Sequence, residues 1–388
     1  MKKNNNNTIQ QKQPAQLHRV VISGGGTGGH IFPAIAIANE LRSRFPNCQI
    51  LFVGADGRME VDKVPAAGYE IMTLPVRGLR RDKLWANVST LWLLVKSLAS
   101  VHKLLRRYRP QLVVGVGGYA SAPTLMVAQM MGIPTLVQEQ NSYAGVTNKI
   151  VGRRAKKVCV AYKGMERFFP ANKIVLTGNP VRQDLFNVPK YAPQAYNELG
   201  LNPNKRTLLV LGGSLGAKTI NESVAAALPQ LAQLPNTQVL WQTGKNYIQQ
   251  AHHEIARQHA HNNVIATDFI YQMHYAFAVA DLVISRAGAG SISELCLLGL
   301  PTILVPSPNV AEDHQTKNAQ ALVKEQAAVM VQDSEAKNTL IGTALNLLQQ
   351  PQKLSLLSQN IRTLALPNSA QKIANLALQI VYPNTIQQ

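Results

Sequence analysis

The feature that most constrains the fold is a pattern of strand, glycine-rich turn and helix that occurs twice. In the first copy, the apolar run 20–23 leads into the first glycine loop, residues 24–29, and then into a helical segment that starts near His30. In the second, the run 207–211 leads into the second glycine loop, residues 212–216, and another helical segment. This pattern is typical of the first unit of an open parallel sheet with crossover helices. The chain is therefore predicted to form two such domains.

Further apolar runs extend each copy and alternate with segments of helix length. The additional predicted strands are 50–53, 112–116, 135–138 and 157–161 in the first half, and 239–242, 264–266, 282–285, 302–305 and 328–331 in the second. A length of 388 residues suits two domains. The predicted division is a polar tail over 1–17, a first domain over 18–183, a second domain over 184–369, and a final helix at about 370–388 that packs back on the first domain. Residues 187–205, rich in Pro, Asn and Tyr, are predicted to be the linker.

The charge balance favours an anionic partner. The 39 Lys and Arg residues outnumber 20 Asp and Glu residues, a formal net charge of +19. Three isolated cysteines indicate neither a disulfide framework nor a zinc site, so a reducing compartment fits best. The N-terminal tail lacks the apolar region of a secretory signal. No stretch offers the roughly 20 apolar residues of a spanning helix, so any membrane contact is predicted to be peripheral.

The first glycine loop satisfies G-x-G-x-x-G directly before a helix, where amide groups and the helix dipole attract phosphate. The motif alone is a weak signal. A dehydrogenase would place an acidic residue about 20 residues further on, and Asp56 lies beyond that point. His30 suits proton acceptance because its unperturbed pKa is about 6.5, although it could simply cap or pack the loop. A further glycine segment, 115–119, could hold a second anionic group or form only a tight turn.

The densest candidate site in the second half is residues 285–294. A strand ends there in small residues and a helix begins with serines, an arrangement that suits a diphosphate. Glu294 could accept hydrogen bonds from ribose hydroxyls, or it could only face the helix dipole. The polar segments 138–141 and 312–318 follow predicted strands, where they could face a ligand or only solvent. No two Asp residues form a D-x-D pair, so no metal and no cofactor are predicted.

Two other classes of protein share parts of this pattern. The second glycine loop also matches the G-x-S-x-G elbow of hydrolases, and Asp281 and His314 follow in hydrolase order. A hydrolase, however, would leave the first domain without a role. A non-catalytic protein that binds nucleotide sugars or polyanions would show the same charge and glycine turns.

An apolar segment of helix length, residues 84–105, is bracketed by cations and predicts a helix that lies in the lipid headgroup region. A buried helix with solvated ends is the alternative. The flanking cations are Arg77, Arg80, Arg81, Lys83, Lys103, Arg106, Arg107 and Arg109.

Taken in order, six motifs resemble the MurG family of peptidoglycan N-acetylglucosaminyltransferases, from about residue 19 to the C-terminus. They are residues 25–30, 117–119, 138–141, 178–182, 212–217 and 285–288. The resemblance implies an α/β protein of GT-B fold, in which two Rossmann-like domains with parallel sheets face each other across a cleft. The donor would lie mostly in the second domain and the lipid acceptor in the first. The chain departs from the family at Gln138, where His is frequent, and at Gly290 and Ser291, where Leu-Thr is frequent.

The activity implied by the resemblance is inverting transfer of N-acetylglucosamine from UDP-N-acetylglucosamine to the C4 hydroxyl of the muramyl sugar of lipid I. Lipid I is the undecaprenyl-diphosphate-linked muramyl-pentapeptide, and the product, lipid II, serves peptidoglycan synthesis, cell shape and division. The implied partners are these two substrates and the anionic membrane surface at the cytoplasmic side of the cell membrane, without nucleic acid.

Site residues are also implied by the resemblance. His30 would be the general base, with Glu139 as the next candidate or as an orienting partner. Ser214 would hold the UDP phosphates, Ile270 would pair its backbone with uracil, and Gln315 would read the sugar hydroxyls. The full donor set is Thr27, Gly28, Gly29, Asn141, Arg182, Ser214, Ile270, Ala289, Gly290, Ser291, Ile292, Ser293, Glu294 and Gln315. The acceptor set is Gly117, Gly118 and Tyr119.

Overall fold

The computed structural model describes residues 16–76, 87–213 and 216–383. Ser214, most of the N-terminal tail and the four cations predicted to precede the apolar helix lie outside the described residues. Within them, no helix is long and apolar enough to cross a membrane.

Two sheets, each parallel throughout, form the framework of the described chain. The first has seven strands in the order β3-β2-β1-β4-β5-β6-β7, and the second has six in the order β10-β9-β8-β11-β12-β13. The strands are β1 (Arg19–Ser23), β2 (Gln49–Ala55), β3 (Glu70–Leu74), β4 (Leu112–Gly115), β5 (Thr135–Glu139), β6 (Lys157–Val160), β7 (Ile174–Leu176), β8 (Arg206–Leu211), β9 (Thr237–Gln242), β10 (Val264–Thr267), β11 (Leu282–Ser285), β12 (Thr302–Leu304) and β13 (Val329–Met330).

Helices cover both faces of each sheet. They are α1 (Gly28–Arg44), α2 (Glu60–Ala66), α3 (Asn87–Tyr108), α4 (Ser121–Met130), α5 (Val146–Gly152), α6 (Pro193–Leu199), α7 (Lys218–Leu231), α8 (Ile248–Arg257), α9 (Met273–Val279), α10 (Ala289–Leu298), α11 (His314–Lys324), α12 (Ala336–Leu348), α13 (Pro351–Thr363) and α14 (Ser369–Val381). Because side chains alternate along a strand, Val20 and Ile22 pack into one core of the first domain while Val21 packs into the other.

Each sheet changes direction of winding at its centre, between β1 and β4 in the first domain and between β8 and β11 in the second. Ligands of open parallel sheets bind at such a switch point, outside the carboxyl ends of the strands. The two glycine loops follow β1 and β8, and the segments after β4 and β11 complete each pair. The topology therefore brings the predicted motifs of each domain together at the carboxyl ends of its central strands.

The structure departs from the predicted elements in three places. The edge strands β3 and β7 were not predicted, because Thr73 interrupts the apolar residues of β3 and the apolar run of β7 is only three residues long. The predicted linker 187–205 was wrong over α6, because Ala195 and Tyr196 of that helix are buried in the second core.

The last helix, α14, packs against the first domain. Ile373, Ala374 and Ala377 are buried in the same core as Ile31 and Ile37 of α1. The C-terminal segment therefore crosses from the second domain back to the first.

Candidate active site

The first glycine loop is held by its own domain. The Gly25 amide donates to the Gly117 carbonyl at 3.3 Å, and the Gly26 amide donates to Glu60 Oε2 at 2.8 Å. Glu60 begins α2 and is fully buried, and its other oxygen accepts from the last amide of β2 at 3.0 Å. The phosphate cradle predicted for this loop is therefore wrong at Gly25 and Gly26. Only the later amides, at the start of α1, could face a phosphate.

The glycine segment after β4 packs directly against this loop. A Cβ at Gly118 would lie 2.3 Å from the Gly25 carbonyl oxygen, and one at Gly117 would lie 3.0 Å from the His30 imidazole. Both glycines have positive φ, +94° at Gly117 and +88° at Gly118, so a side chain would be strained there as well as crowded. The next residue, Tyr119, is 51% exposed. Gly117 and Gly118 thus leave room for the imidazole and the loop.

His30 lies in the first turn of α1, at the floor between these two loops. Its Nδ1 lies 3.1 Å from Thr27 Oγ1, so the hydroxyl fixes the orientation of the ring. Burial lowers the pKa of His30 to about 4, and the nearby Gly25 carbonyl, which favours the protonated ring, offsets this only in part. The nearby His314 of the second domain also lowers the pKa of His30. At neutral pH the imidazole is uncharged and can accept a proton.

Glu139 ends β5 and is buried. Its carboxylate accepts hydrogen bonds from the Asn141 amide at 3.0 Å, the Gly145 amide at 3.1 Å and Asn148 Nδ2 at 2.9 Å. Burial raises the pKa of Glu139, and these donors, which favour the ionised carboxylate, oppose that effect. The carboxylate therefore fixes the loop between β5 and α5.

Two buried asparagines join the two domains. Asn179 accepts from Gln138 Nε2 at 2.8 Å and donates to Ser293 Oγ at 3.0 Å. Asn318 donates to Asn141 Oδ1 at 3.1 Å. The side chains of Ser293 and Asn141, both predicted donor contacts, are thus engaged between the domains. The bridging role was not predicted, although Asn179 and Asn318 lie in the segments 178–182 and 312–318 that were predicted to be functional.

The start of α10 faces the first domain. The Arg182 guanidinium forms an ion pair with Glu294, with 3.1 Å between Nε and Oε1. Glu294 is the less exposed partner, and Arg182 lies on the segment that follows β7. Two residues of the predicted donor set are therefore brought together from different domains. Ala289, Gly290, Ser291 and Ile292 form the first turn of the same helix.

Gln242, at the end of β9, connects two parts of the predicted donor site. Its Nε2 donates to the Gly213 carbonyl and its Oε1 accepts from the Ile270 amide, each at 3.0 Å. Pairing of uracil with the Ile270 amide would require Gln242 to move, whereas the Ile270 carbonyl is not used by this contact. Gln242 was not among the predicted site residues. A polar residue that ends an apolar strand at the ligand edge is the signal that could have found it.

Gln315 lies in the first turn of α11. Its Oε1 accepts from the Ser307 amide at 2.9 Å, which leaves the Nε2 hydrogens to donate to a ligand. Glu312 and Asp313, just before this helix, have φ of +57° and +51°, uncommon for residues other than glycine. The loop that presents Gln315 and His314 is therefore locally strained.

The hydrolase alternative is wrong. The Asp281 carboxylate accepts from the Thr207 amide at 2.7 Å and from the Tyr191 hydroxyl at 2.9 Å. This places Asp281 at the amino ends of β8 and β11, whereas His314 follows the carboxyl end of β12. The two side chains therefore lie at opposite ends of the strands and cannot act on one serine.

Comparisons with known proteins agree with this geometry. Residues 20–160 match the Glycosyltransferase family 28 N-terminal domain, and residues 207–376 match the Glycosyltransferase family 28 C-terminal domain. A MurG crystal structure from Acinetobacter baumannii is 30% identical with a TM-score of 0.76, covering 93% of this chain and 99% of that one. The predicted GT-B fold is confirmed.

Two curated relatives are named UDP-N-acetylglucosamine--N-acetylmuramyl-(pentapeptide) pyrophosphoryl-undecaprenol N-acetylglucosamine transferase. The one from Bacteroides fragilis is 58% identical over 362 residues, which are 93% of this chain and 95% of that protein. The one from Parabacteroides distasonis is 55% identical over 364 residues, 94% of this chain and 98% of that protein.

Proposed function

The chain belongs to the MurG family within glycosyltransferase family 28, and from this premise we propose that it transfers N-acetylglucosamine from UDP-N-acetylglucosamine to lipid I. The product is lipid II, for peptidoglycan synthesis. The observation that carries the proposal is the match of both domains to relatives of that name, at up to 58% identity over 93% of the chain. The location of His30 and Glu294 on facing domains supports it.

His30 acts as the general base. The C4 hydroxyl of the muramyl sugar loses its proton to the uncharged imidazole as its oxygen attacks the anomeric carbon of N-acetylglucosamine, and the bond to UDP breaks with inversion. The hydrogen bond with Thr27 holds the ring in orientation, and Gly117 leaves space for it. Glu139 is a positioning residue, because its carboxylate accepts a hydrogen bond from the Asn141 amide and so fixes the loop that carries Asn141.

The departing diphosphate is stabilised by the first turn of α10. Unpaired amides at a helix start attract negative charge, and the charge that develops on the leaving group is greatest in the transition state. The Arg182–Glu294 ion pair orients the Glu294 carboxylate toward the ribose hydroxyls, and Gln315 donates to the sugar.

The first domain contacts the anionic membrane surface through α3. Its C-terminal half is anchored by Val101 and Leu105, which are buried, whereas Trp92 and Val95 are 65% and 58% exposed. Lys96 and Lys103 are exposed on the same helix. Exposed apolar side chains interspersed with cations suit the headgroup region. The enzyme acts in this arrangement at the cytoplasmic side of the cell membrane.

Vesicle flotation tests the membrane contact. Val95→Glu should reduce binding to vesicles that contain anionic lipid, because it places a carboxylate in the exposed apolar surface. Leu356→Glu is the matched control, since Leu356 is also exposed but lies on α13 of the second domain. Equal binding of the two variants would exclude α3 as the contact.

Transfer of labelled N-acetylglucosamine from its UDP donor to a soluble lipid I analogue tests the activity. We expect a disaccharide product with a β-1,4 link and release of UDP. Binding of the donor without any product would instead favour a non-catalytic protein that binds nucleotide sugars.

A further inference from the structure

A cavity lies between the domains, beside the segment that links them. Its volume is about 800 Å³. The first domain contributes the loops after β5 and β6, and the second contributes one face of α10 and one face of α11. On α10 the cavity is lined by Ile292, Ser293, Cys296 and Leu297. Glu294 and Arg182 pair outside this lining, so the cavity adjoins the predicted donor site at Ile292 and Ser293 but does not include the ion pair.

The lining is strongly cationic, and both domains supply the charge. Lys163 and Arg167 come from the first domain, whereas Lys317 and Lys324 come from α11. Glu325 is the one carboxylate among the described lining residues. Four cations against one anion leave a local excess of positive charge, which opposes approach of the two walls and attracts anions.

Two of these cations contact uncharged groups, an aromatic ring and backbone carbonyls. The Lys317 ammonium lies 3.4 Å from the centre of the Tyr143 ring and donates to the Glu312 carbonyl at 2.7 Å. The Arg167 guanidinium donates to the Ser142 carbonyl at 2.8 Å. A ring face and a carbonyl orient a cation but carry no net negative charge. The positive charge of the cavity is therefore preorganised and uncompensated by these contacts.

The same lining contains polar groups that lack partners. Among the described residues, neither Ser142 Oγ nor the Tyr162 hydroxyl has a hydrogen-bond partner, although both atoms are buried. Ser142 is only 7% exposed as a whole. A buried hydroxyl without a partner costs free energy, so such groups usually indicate a ligand or water that completes them.

We propose that this cavity is a binding site for a small multivalent anion, of the phosphate-bearing or polycarboxylate class. The anion accepts charge-assisted hydrogen bonds from Lys163 and Arg167 on one wall and from Lys324 on the other, and it accepts from the Ser142 hydroxyl. Because the cations belong to different domains, the bound anion bridges them and favours the closed cleft. The site thereby couples an anion to domain closure, and it does not depend on the proposed sugar transfer.

Calorimetry with inorganic diphosphate tests the site. The protein is first saturated with UDP, so that the donor site is filled and any remaining heat reports another site. We expect wild type to bind one diphosphate, and a Lys163→Ala, Lys324→Ala double variant to bind it about tenfold more weakly, because two charge-assisted contacts are lost. Absence of binding to wild type would overturn the proposal.

The matched control is Lys337→Ala, Lys353→Ala. These lysines are also exposed, lie on α12 and α13 away from the cavity lining, and change the net charge by the same amount. We expect its affinity for diphosphate to equal that of wild type. Equal weakening in both double variants would assign the binding to the general charge of +19 and overturn the site.

A Ser142→Ala variant gives a second, independent measurement. Removing a hydroxyl without a partner should leave the melting temperature of the free protein unchanged or raise it, while the rise in melting temperature caused by diphosphate becomes smaller. A lower melting temperature without ligand would mean that the hydroxyl is already satisfied, and an unchanged diphosphate effect would exclude it from the site. Sugar transfer measured in parallel reports on the proposed function separately.

Discussion

The two glycine loops share a sequence pattern and a position at their switch points, yet different groups hold them. The first loop rests on the Glu60 carboxylate, which accepts from the Gly26 amide at 2.8 Å. The second is held by the Gln242 amide, which donates to the Gly213 carbonyl at 3.0 Å. A carboxylate beneath a loop repels phosphate and favours a cation, whereas a neutral amide does neither. The charge of the supporting residue, rather than the glycines, separates a loop suited to proton transfer from one suited to a nucleotide.

The largest effect expected from this contrast is on the His30 side. His30→Ala removes the base, and kcat should fall by about 10²- to 10⁴-fold at saturating donor and acceptor. Affinity for UDP should change less than about twofold, because the nucleotide contacts of the second domain are untouched. Turnover and UDP titration calorimetry give the two values. Near-normal turnover would remove His30 as the base.

Replacing the neutral Gln242 that supports the second loop by a charged residue should mainly change donor binding. Gln242→Glu keeps the size of the side chain but brings a carboxylate near the diphosphate and cannot donate to Gly213. We expect the donor KM to rise about 10- to 100-fold, from lost hydrogen bonds and repulsion together, with a smaller change in kcat. Gln242→Ala is the control for the lost contacts alone. A larger effect in the alanine variant would contradict the charge argument.

Replacing the charged Glu60 that supports the first loop by a neutral residue should mainly lower turnover. Glu60→Gln keeps one acceptor oxygen for two amides, so the loop that carries His30 loses one charge-assisted hydrogen bond. We expect kcat to fall by about tenfold, equivalent to one such bond, while the donor KM stays within about twofold. Steady-state kinetics of both substitutions then show whether each loop governs a different parameter.

The low pKa of His30, about 4, predicts an unusual pH profile. Activity requires the neutral imidazole, so kcat/KM should rise with pH through about 4 and should lack the step near 6.5 of an exposed histidine. Stability follows the same direction. Between pH values of about 4 and about 6.5, the His30 imidazole is protonated to a greater extent in the unfolded chain than in the folded one. The free energy of unfolding therefore increases with pH across this range. A step near 6.5 that disappears in His30→Ala would show that the ring is solvated.

The smallest effect is expected from metal removal. No D-x-D pair occurs in the sequence, and the start of α10 offers amides to the diphosphate. EDTA should therefore change the transfer rate by less than about twofold. A strong loss that Mg²⁺ or Mn²⁺ restores would show that the leaving group needs a cation as well as the helix.

The sequence predicted two domains, their parallel sheets and the locations of most motifs. It could do so because a strand, a glycine turn and a helix are local patterns, set by the periodicity of apolar residues and by the backbone freedom of glycine. Right-handed crossovers then bring the turns to one edge of each sheet. The edge strands β3 and β7 were not predicted, because one is interrupted by a polar residue and the other has only three residues.

Which side chain supports each loop, and which residues join the domains, depends on the way the chain folds in three dimensions. Glu60 lies 34 positions from Gly26, and Asn179 lies 114 positions from Ser293. Pairs so far apart leave no periodic trace in the chain, because their contact depends on strand order and on how two domains meet. The charge beneath a glycine loop, and with it the chemistry the loop can perform, is therefore a property of the assembled fold.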